Sequence, residues 1–119
     1  MKTLVIEDEM IIAMDLELSI ELTGNECVGI ASSLDQAMNL MTDEVKIVFM
    51  DINLNSKENG IEIAEILRNN FDFYLVFVSA SYNQLFSEKT KMFDNCEFIK
   101  KPFHFNSLRQ VIENAKKLY

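Results

Sequence analysis

The sequence predicts an α/β domain built on an open, five-stranded parallel sheet with helices on both faces. Three observations carry this. Short apolar runs alternate with longer segments of helical period along all 119 residues. The short runs are apolar at successive positions, as expected for parallel strands covered on both sides. Alternating strands and helices give parallel pairing through right-handed crossovers.

The elements follow in order. Leu4-Val5-Ile6 is the first strand, ending in Glu7-Asp8-Glu9. Residues 10 to 22 have the length and composition of a helix. Ile11, Met14, Leu18 and Leu22 make its apolar stripe, widened by Ile12, Leu16 and Ile20. Gly24, just past Thr23, suits the stop. Cys27 to Ala31 is the second strand. Ser33 with Gln36 reads as a capping box for a helix over 34 to 42. Lys46 to Met50 is the third strand. Gly60 to Asn70 is a helix with Ile63, Ile66 and Leu67 inward. Tyr74 to Val78 is the fourth strand, residues 83 to 93 the weakest helix, and Glu97 to Ile99 a short fifth strand. Asn106 caps a last helix whose Leu108, Val111, Ile112 and Ala115 share a face.

Composition bounds the function. The length fits one domain over residues 1 to 119. The formal net charge of −8, from 19 acids against 11 bases, argues against binding a nucleic-acid backbone. The start, MKTLVIEDE, is neither a signal peptide nor a membrane span. Cys27 and Cys96 have no metal-type spacing and read as reduced thiols of a cytoplasmic protein. The seven methionines read as core filler. His104, a lone histidine near a proline, reads as a surface residue.

In open parallel sheets ligands bind outside the carboxyl ends of the strands. Four strand ends carry polar groups there: Glu7 and Asp8 after strand one, Asp51 in VFMDINL after strand three, Ser79 after strand four and Lys101 after strand five. Carboxylates brought together repel one another, and a hard divalent cation removes the conflict. Mg²⁺ fits that donor set, with Mn²⁺ a second candidate. A carboxylate can act as a nucleophile and form an aspartyl phosphate. The Ser79 hydroxyl and Lys101 ammonium are donors for the oxygens of a transferred phosphoryl group.

This ordered set resembles that of a response-regulator receiver domain over essentially the full chain. The family's acidic pair is matched by Glu7 and Asp8, its phosphoacceptor by Asp51, its Ser/Thr by Ser79 in VFVSAS, and its lysine before proline by Lys101 in KKPF. The resemblance implies strand order 2-1-3-4-5, a cis Lys101-Pro102 bond, the backbone carbonyl of Asn53 as a metal ligand, and Phe98 as the aromatic switch. It also implies a non-enzymatic phosphoacceptor that assists its own phosphorylation and dephosphorylation. The donor is a histidine kinase or phosphotransfer protein. The reader is a downstream partner or covalent output domain, and a phosphorylation-dependent dimer is one further form of output. The output surface is the face of the fourth helix (83 to 93), strand five and the last helix, where Tyr82, Phe86, Phe103 and Phe105 cluster.

The loop INLNSKEN after Asp51 departs from the family in lacking a proline and in being one residue longer than the commonest version. Of the two adjacent lysines, alternation sends Lys100 and Lys101 to opposite sides, and Lys101 takes the role. Rival readings fit less well. Toprim-type and haloacid-dehalogenase-type enzymes want paired aspartates where residue 53 is Asn. A flavodoxin-like cofactor site would be repelled by Glu7-Asp8-Glu9. A protein-binding module that has lost phosphorylation would lack these residues.

Overall fold

A computed structural model describes residues 1–54, 56–80, 88 and 90–119. The strands are β1 (Lys2–Ile6), β2 (Glu26–Ala31), β3 (Val45–Asp51), β4 (Tyr74–Ser79) and β5 (Cys96–Lys100). The described helices are α1 (Met10–Leu22), α2 (Leu34–Leu40), α3 (Gly60–Asn70) and α4 (Phe105–Lys116). The helix expected over 83 to 93 falls largely outside the described residues, as do Tyr82 and Phe86.

The strands form one parallel sheet in the order β2-β1-β3-β4-β5. The central strands β1, β3 and β4 are buried along nearly their whole length. Their alternating side chains feed two cores. One, with Leu4, Ile6, Val48, Met50, Leu75 and Phe77, is closed by Ala37 of α2 and Ile61, Ile63, Ala64 and Leu67 of α3. The other, with Val5, Ile47, Phe49, Val76 and Val78, is closed by Ala13, Leu16 and Ile20 of α1 and Leu108, Val111, Ile112 and Ala115 of α4.

Local signals place the helix ends. Gly24 takes φ +85 and gives its N–H to the Glu21 carbonyl at 3.0 Å, a left-handed cap after the Thr23 C-cap. Asn59 and Glu62 form a reciprocal capping box on α3. Asn59 Oδ1 accepts from the Glu62 N–H at 2.9 Å, and Glu62 Oε1 accepts from the Asn59 N–H at 3.2 Å.

The structure corrects several expectations. α1 turns Ala13, Leu16, Ser19 and Ile20 inward, while Ile11, Met14, Leu18 and Leu22 face solvent, Ile11 at 86% exposure. Small Ala13 and Ser19 let the helix lie close to the sheet. In α2, Ser33 accepts from the Gln36 N–H, but Gln36 Oε1 reaches back to the Ser32 N–H at 2.8 Å rather than to Ser33. α2 stops at Leu40, with Met41 as C-cap. In α3, Ile61 is buried and Ile66 only half-buried. α4 begins at Phe105 behind His104, so Asn106 sits inside the first turn and is not the cap. Met41 and Met50 are core, whereas Met10, Met14, Met38 and Met92 are exposed.

Candidate functional site

The carboxyl ends of β1, β3, β4 and β5 meet at one edge of the sheet. Ladder register puts them there: Ile6 pairs with Met50, Asp51 with Val78, and Ser79 with Lys100. One residue past each pairing, Glu7 and Lys101 leave the sheet on the same side. The Glu7 N–H bonds to the Ala31 carbonyl at 2.8 Å, and the Lys101 N–H to the Ser79 carbonyl at 2.8 Å. The backbone beneath both side chains is therefore fixed.

Lys101 Nζ lies 2.5 Å from Glu7 Oε1 and 3.6 Å from Asp51 Oδ1. Asp51 Oδ1 also accepts the Asn53 backbone N–H at 3.1 Å. Asn53 Nδ2 donates to Ser79 Oγ at 3.1 Å. Ser79 is fully buried and Asp51 nearly so. Lys100 is exposed, on the other side of the strand from Ile99. The Lys101–Pro102 bond is cis. A cavity of about 410 Å³ opens over these groups, lined in part by Asp51, Asn53, Ala80 and Lys101, and by Glu9, Ile12 and Asp15 from the start of α1.

Phe98 stands apart from this cluster. Half-buried on β5, it packs with the core on the α3 side of the sheet and lines a cavity with Phe77 and Phe93. His104 precedes α4 without capping it through its side chain.

The electrostatics are those of an overcrowded acid cluster. Glu7, Asp8 and Asp51 each bring a carboxylate oxygen within 4.8 Å of the others. Burial pushes the Glu7 carboxyl up to about 8, Asp51 adds to the rise, and Lys101 opposes it. Burial alone would lower Lys101. Its hydrogen bond to Glu7 and the charges of Asp51, Glu7 and Glu9 outweigh that and hold the ammonium above its ordinary value. Among the described residues the buried Glu7 Oε2 has no hydrogen-bond partner. An orphaned carboxylate oxygen beside two further carboxylates is a donor set for a hard cation, and the residues fit Mg²⁺. Glu7, Asp8 and Asp51 are the side chains that would hold it.

The profile described as response regulator receiver domain matches residues 3–113. The chain belongs to the response regulator receiver family. Over 119 residues this receiver domain is 33% identical to the sensory transduction protein LytT of Bacillus anthracis, covering 98% of this chain and 48% of that protein. It is 29% identical to the phyllosphere-induced regulator PhyR of Methylorubrum extorquens over 114 residues, covering 94% of this chain and 42% of that one. The chain thus spans about half the length of the curated relatives it matches. The crystal structure of the NtrX receiver domain from Brucella abortus superposes with a TM-score of 0.85 at 26% identity, covering 98% of this chain and 99% of that one. The PhyR crystal structure from the same organism gives 0.77 at 32% identity, over 96% of this chain and 46% of that one. The receiver fold is that of a two-component response regulator, and no described helix is long and apolar enough to cross a membrane.

Two features of this receiver site escape sequence reasoning. The Asn53–Ser79 side-chain bond spans 26 residues, and no periodicity signals it. Gly60, at the start of α3, lies against the backbone of Asp51. A Cβ there would stand 2.1 Å from the Asp51 carbonyl oxygen. A glycine opening a helix was the available signal, since that position has no need of one.

Proposed function

We propose that Asp51 accepts a phosphoryl group from a phosphohistidine and that the domain works as the switch of a phosphorelay. The supporting observation is the placement of the buried Asp51 carboxylate, with Lys101 Nζ 3.6 Å away and Glu7 and Asp8 beside it. An Asp51 carboxylate oxygen attacks phosphorus. The P–N bond of the donor breaks, its electron pair stays on the imidazole nitrogen, and a P–O bond to Asp51 forms. When bound, Mg²⁺ would supply positive charge that offsets the charge of the phosphoryl oxygens. Glu7, Asp8, Asp51 and the Asn53 carbonyl would hold it. Lys101 and Ser79 hold the transferred group from the β4–β5 side. The same residues that assist transfer also admit hydrolysis, so the domain contributes to its own dephosphorylation without being an enzyme.

The donor is a histidine kinase or histidine phosphotransfer protein acting in the cytoplasm. The outward stripe of α1 belongs to the same helix whose Ile12 and Asp15 line the site cavity. A donor helix seated on Ile11, Met14 and Leu18 would bring its histidine to that cavity. On the other side, phosphorylation draws on Ser79, Phe98 follows, and the β5–α4 face presents the change to a partner, an output domain or a second copy. The test is intact mass after incubation with acetyl phosphate and Mg²⁺. Wild type gains one phosphoryl group and Asp51→Asn gains none. A phosphorylated Asp51→Asn removes Asp51 from the mechanism.

A further inference from the structure

One carboxylate oxygen ties the last helix to the sheet. Ile99 belongs to the core under α1 and α4, and Phe98 packs with the core under α3, so alternation along β5 puts Glu97 on the α4 side. Glu97 stands near the amino end of β5, away from the site at its carboxyl end. The Tyr74 hydroxyl, at the start of β4, donates to Glu97 Oε2. Asn114 Nδ2, in the last turn of α4, donates to the same oxygen at 2.8 Å. Gln110 Nε2 donates in turn to Asn114 Oδ1 at 3.0 Å. A carboxylate only accepts, so this chain has a fixed direction: the Asn114 amide turns its nitrogen to Glu97 and its oxygen to Gln110. The buried contacts of α4 with the sheet, through Leu108, Val111, Ile112 and Ala115, are apolar and set no direction. A helix held by those alone can shift over the sheet without breaking a bond. A hydrogen bond to a charged acceptor is stronger than a neutral one and costly to leave unmade, so it fixes where the helix sits.

We propose that the Glu97–Asn114 bond is the coupling through which a displacement of β5 reaches α4: when β5 moves, the Glu97 carboxylate carries the Asn114 amide, and the helix, with it. This rests on the switch reading above, in which the β5–α4 face responds to phosphorylation, and it names the bond that makes the helix follow the strand. Tyr74 steadies the Glu97 side chain from β4, and Asn114 takes the motion into α4. Phe98 and Glu97 are neighbours on opposite sides of β5, so one strand displacement acts on both faces of the sheet. The groove over the bond, about 360 Å³, is lined in part by Glu97, Asn106, Ser107, Gln110 and Val111, so its shape changes as the helix follows.

The experiment compares wild type, Asn114→Ala and Tyr74→Phe by amide exchange with and without Mg²⁺ and beryllofluoride, a phosphoryl mimic, and by melting temperature. Wild type should change its exchange over both residues 96 to 101 and residues 105 to 116. Asn114→Ala removes the helix side of the bond on a half-buried helix position where alanine is well tolerated. It should keep the change over 96 to 101 and reduce the change over 105 to 116 about twofold or more, the low end of mutational effects on coupling between sites. Tyr74→Phe separates coupling from stability. It loses a bond from a buried hydroxyl to the same carboxylate and lowers the melting temperature, yet it leaves the Glu97–Asn114 bond in place and should keep the α4 response. Both variants should gain a phosphoryl group from acetyl phosphate at the wild-type rate. An undiminished α4 response in Asn114→Ala overturns the proposal. So does a loss in Tyr74→Phe as large as that in Asn114→Ala, which would make the effect one of stability alone. A wild type that responds over 96 to 101 but not over 105 to 116 also overturns the proposal and leaves the switch reading standing. A wild type that responds in neither segment overturns the switch reading and this proposal with it.

Discussion

Gly60→Ala should damage both the stability of the fold and the geometry of the site. A Cβ at residue 60 would stand 2.1 Å from the Asp51 carbonyl oxygen and 2.9 Å from Ile52 Cα, and neither backbone atom can swing aside. Restoring even a tight contact requires a shift of about 1 Å between the start of α3 and the end of β3, a demand on the scale of overpacking a filled core. Such a shift also stretches the 3.1 Å bond from the Gly60 N–H to the Ile52 carbonyl. Overpacking costs about 1–3 kcal/mol and the lost bond about 1 kcal/mol, for a sum of roughly 2–4 kcal/mol. At about 4 °C per kcal/mol for a domain of this size, the melting temperature should fall by about 8–16 °C. The same shift moves the Asp51 backbone, and a displacement of about 1 Å at a reacting group can cost on the order of 10²-fold in rate. Calorimetry and acetyl phosphate kinetics measure the two effects. Gly29→Ala is the control. Its Cβ would meet Leu40 Cδ1 at 2.9 Å, the flexible end of a side chain, so the melting temperature should barely move. A Gly60→Ala protein that melts within 2 °C of wild type, roughly half a kcal/mol, and phosphorylates at the wild-type rate would refute the close approach.

Three further outcomes are expected. Mg²⁺ at ten times its dissociation constant should stabilise the native chain by about 1.4 kcal/mol, and Asp8→Ala should lose that gain; a wild-type melting temperature indifferent to saturating Mg²⁺ would sink the cation site. Burial pushes the Cys96 thiol up to about 11 and also raises Cys27, so iodoacetamide should react slowly at pH 8 and its rate at Cys96 should keep climbing toward pH 11, because only the thiolate attacks; a rate that levels off near pH 8.5 contradicts the burial. Phe98→Ala should leave Asp51 phosphorylation nearly intact while weakening the change in amide exchange over residues 80 to 105 on adding beryllofluoride; equal responses in variant and wild type would remove Phe98 as the switch.

The strands were legible because parallel central strands must be apolar on both faces, and KIVFM and YLVFV satisfy that in a way few other elements do. Their carboxyl ends follow from the direction of the chain, which is why Glu7, Asp8, Asp51, Ser79 and Lys101 stand out in the sequence itself. The facing of α1 was not legible. Its apolar residues run around most of the helix, so periodicity could not tell the stripe through Ile11 and Leu18 from the one through Leu16 and Ile20. Tertiary fit decided it in favour of the face with small Ala13 and Ser19. The expected start of α4 lies two residues too late because Asn106 has a capping side chain, yet the cap is His104 and the chain enters the helix at Phe105. The contact of Asn53 with Ser79 depends on the turn after β3 meeting the end of β4, and single-residue propensities carry no record of that.

The ion pair between Glu7 and Lys101 joins positions 94 residues apart. Its ammonium enters the site from the last strand of the sheet, whereas all three clustered carboxylates lie in the first half of the chain. During synthesis the acids emerge first and their neutralising partner last. Chains grow at about 5–20 residues per second, so the acid cluster spends several seconds in the nascent polypeptide without Lys101. A ribosome-bound fragment ending before residue 100 therefore carries the acid cluster without the ammonium that pairs with it, and the site is complete only when the last strand has emerged.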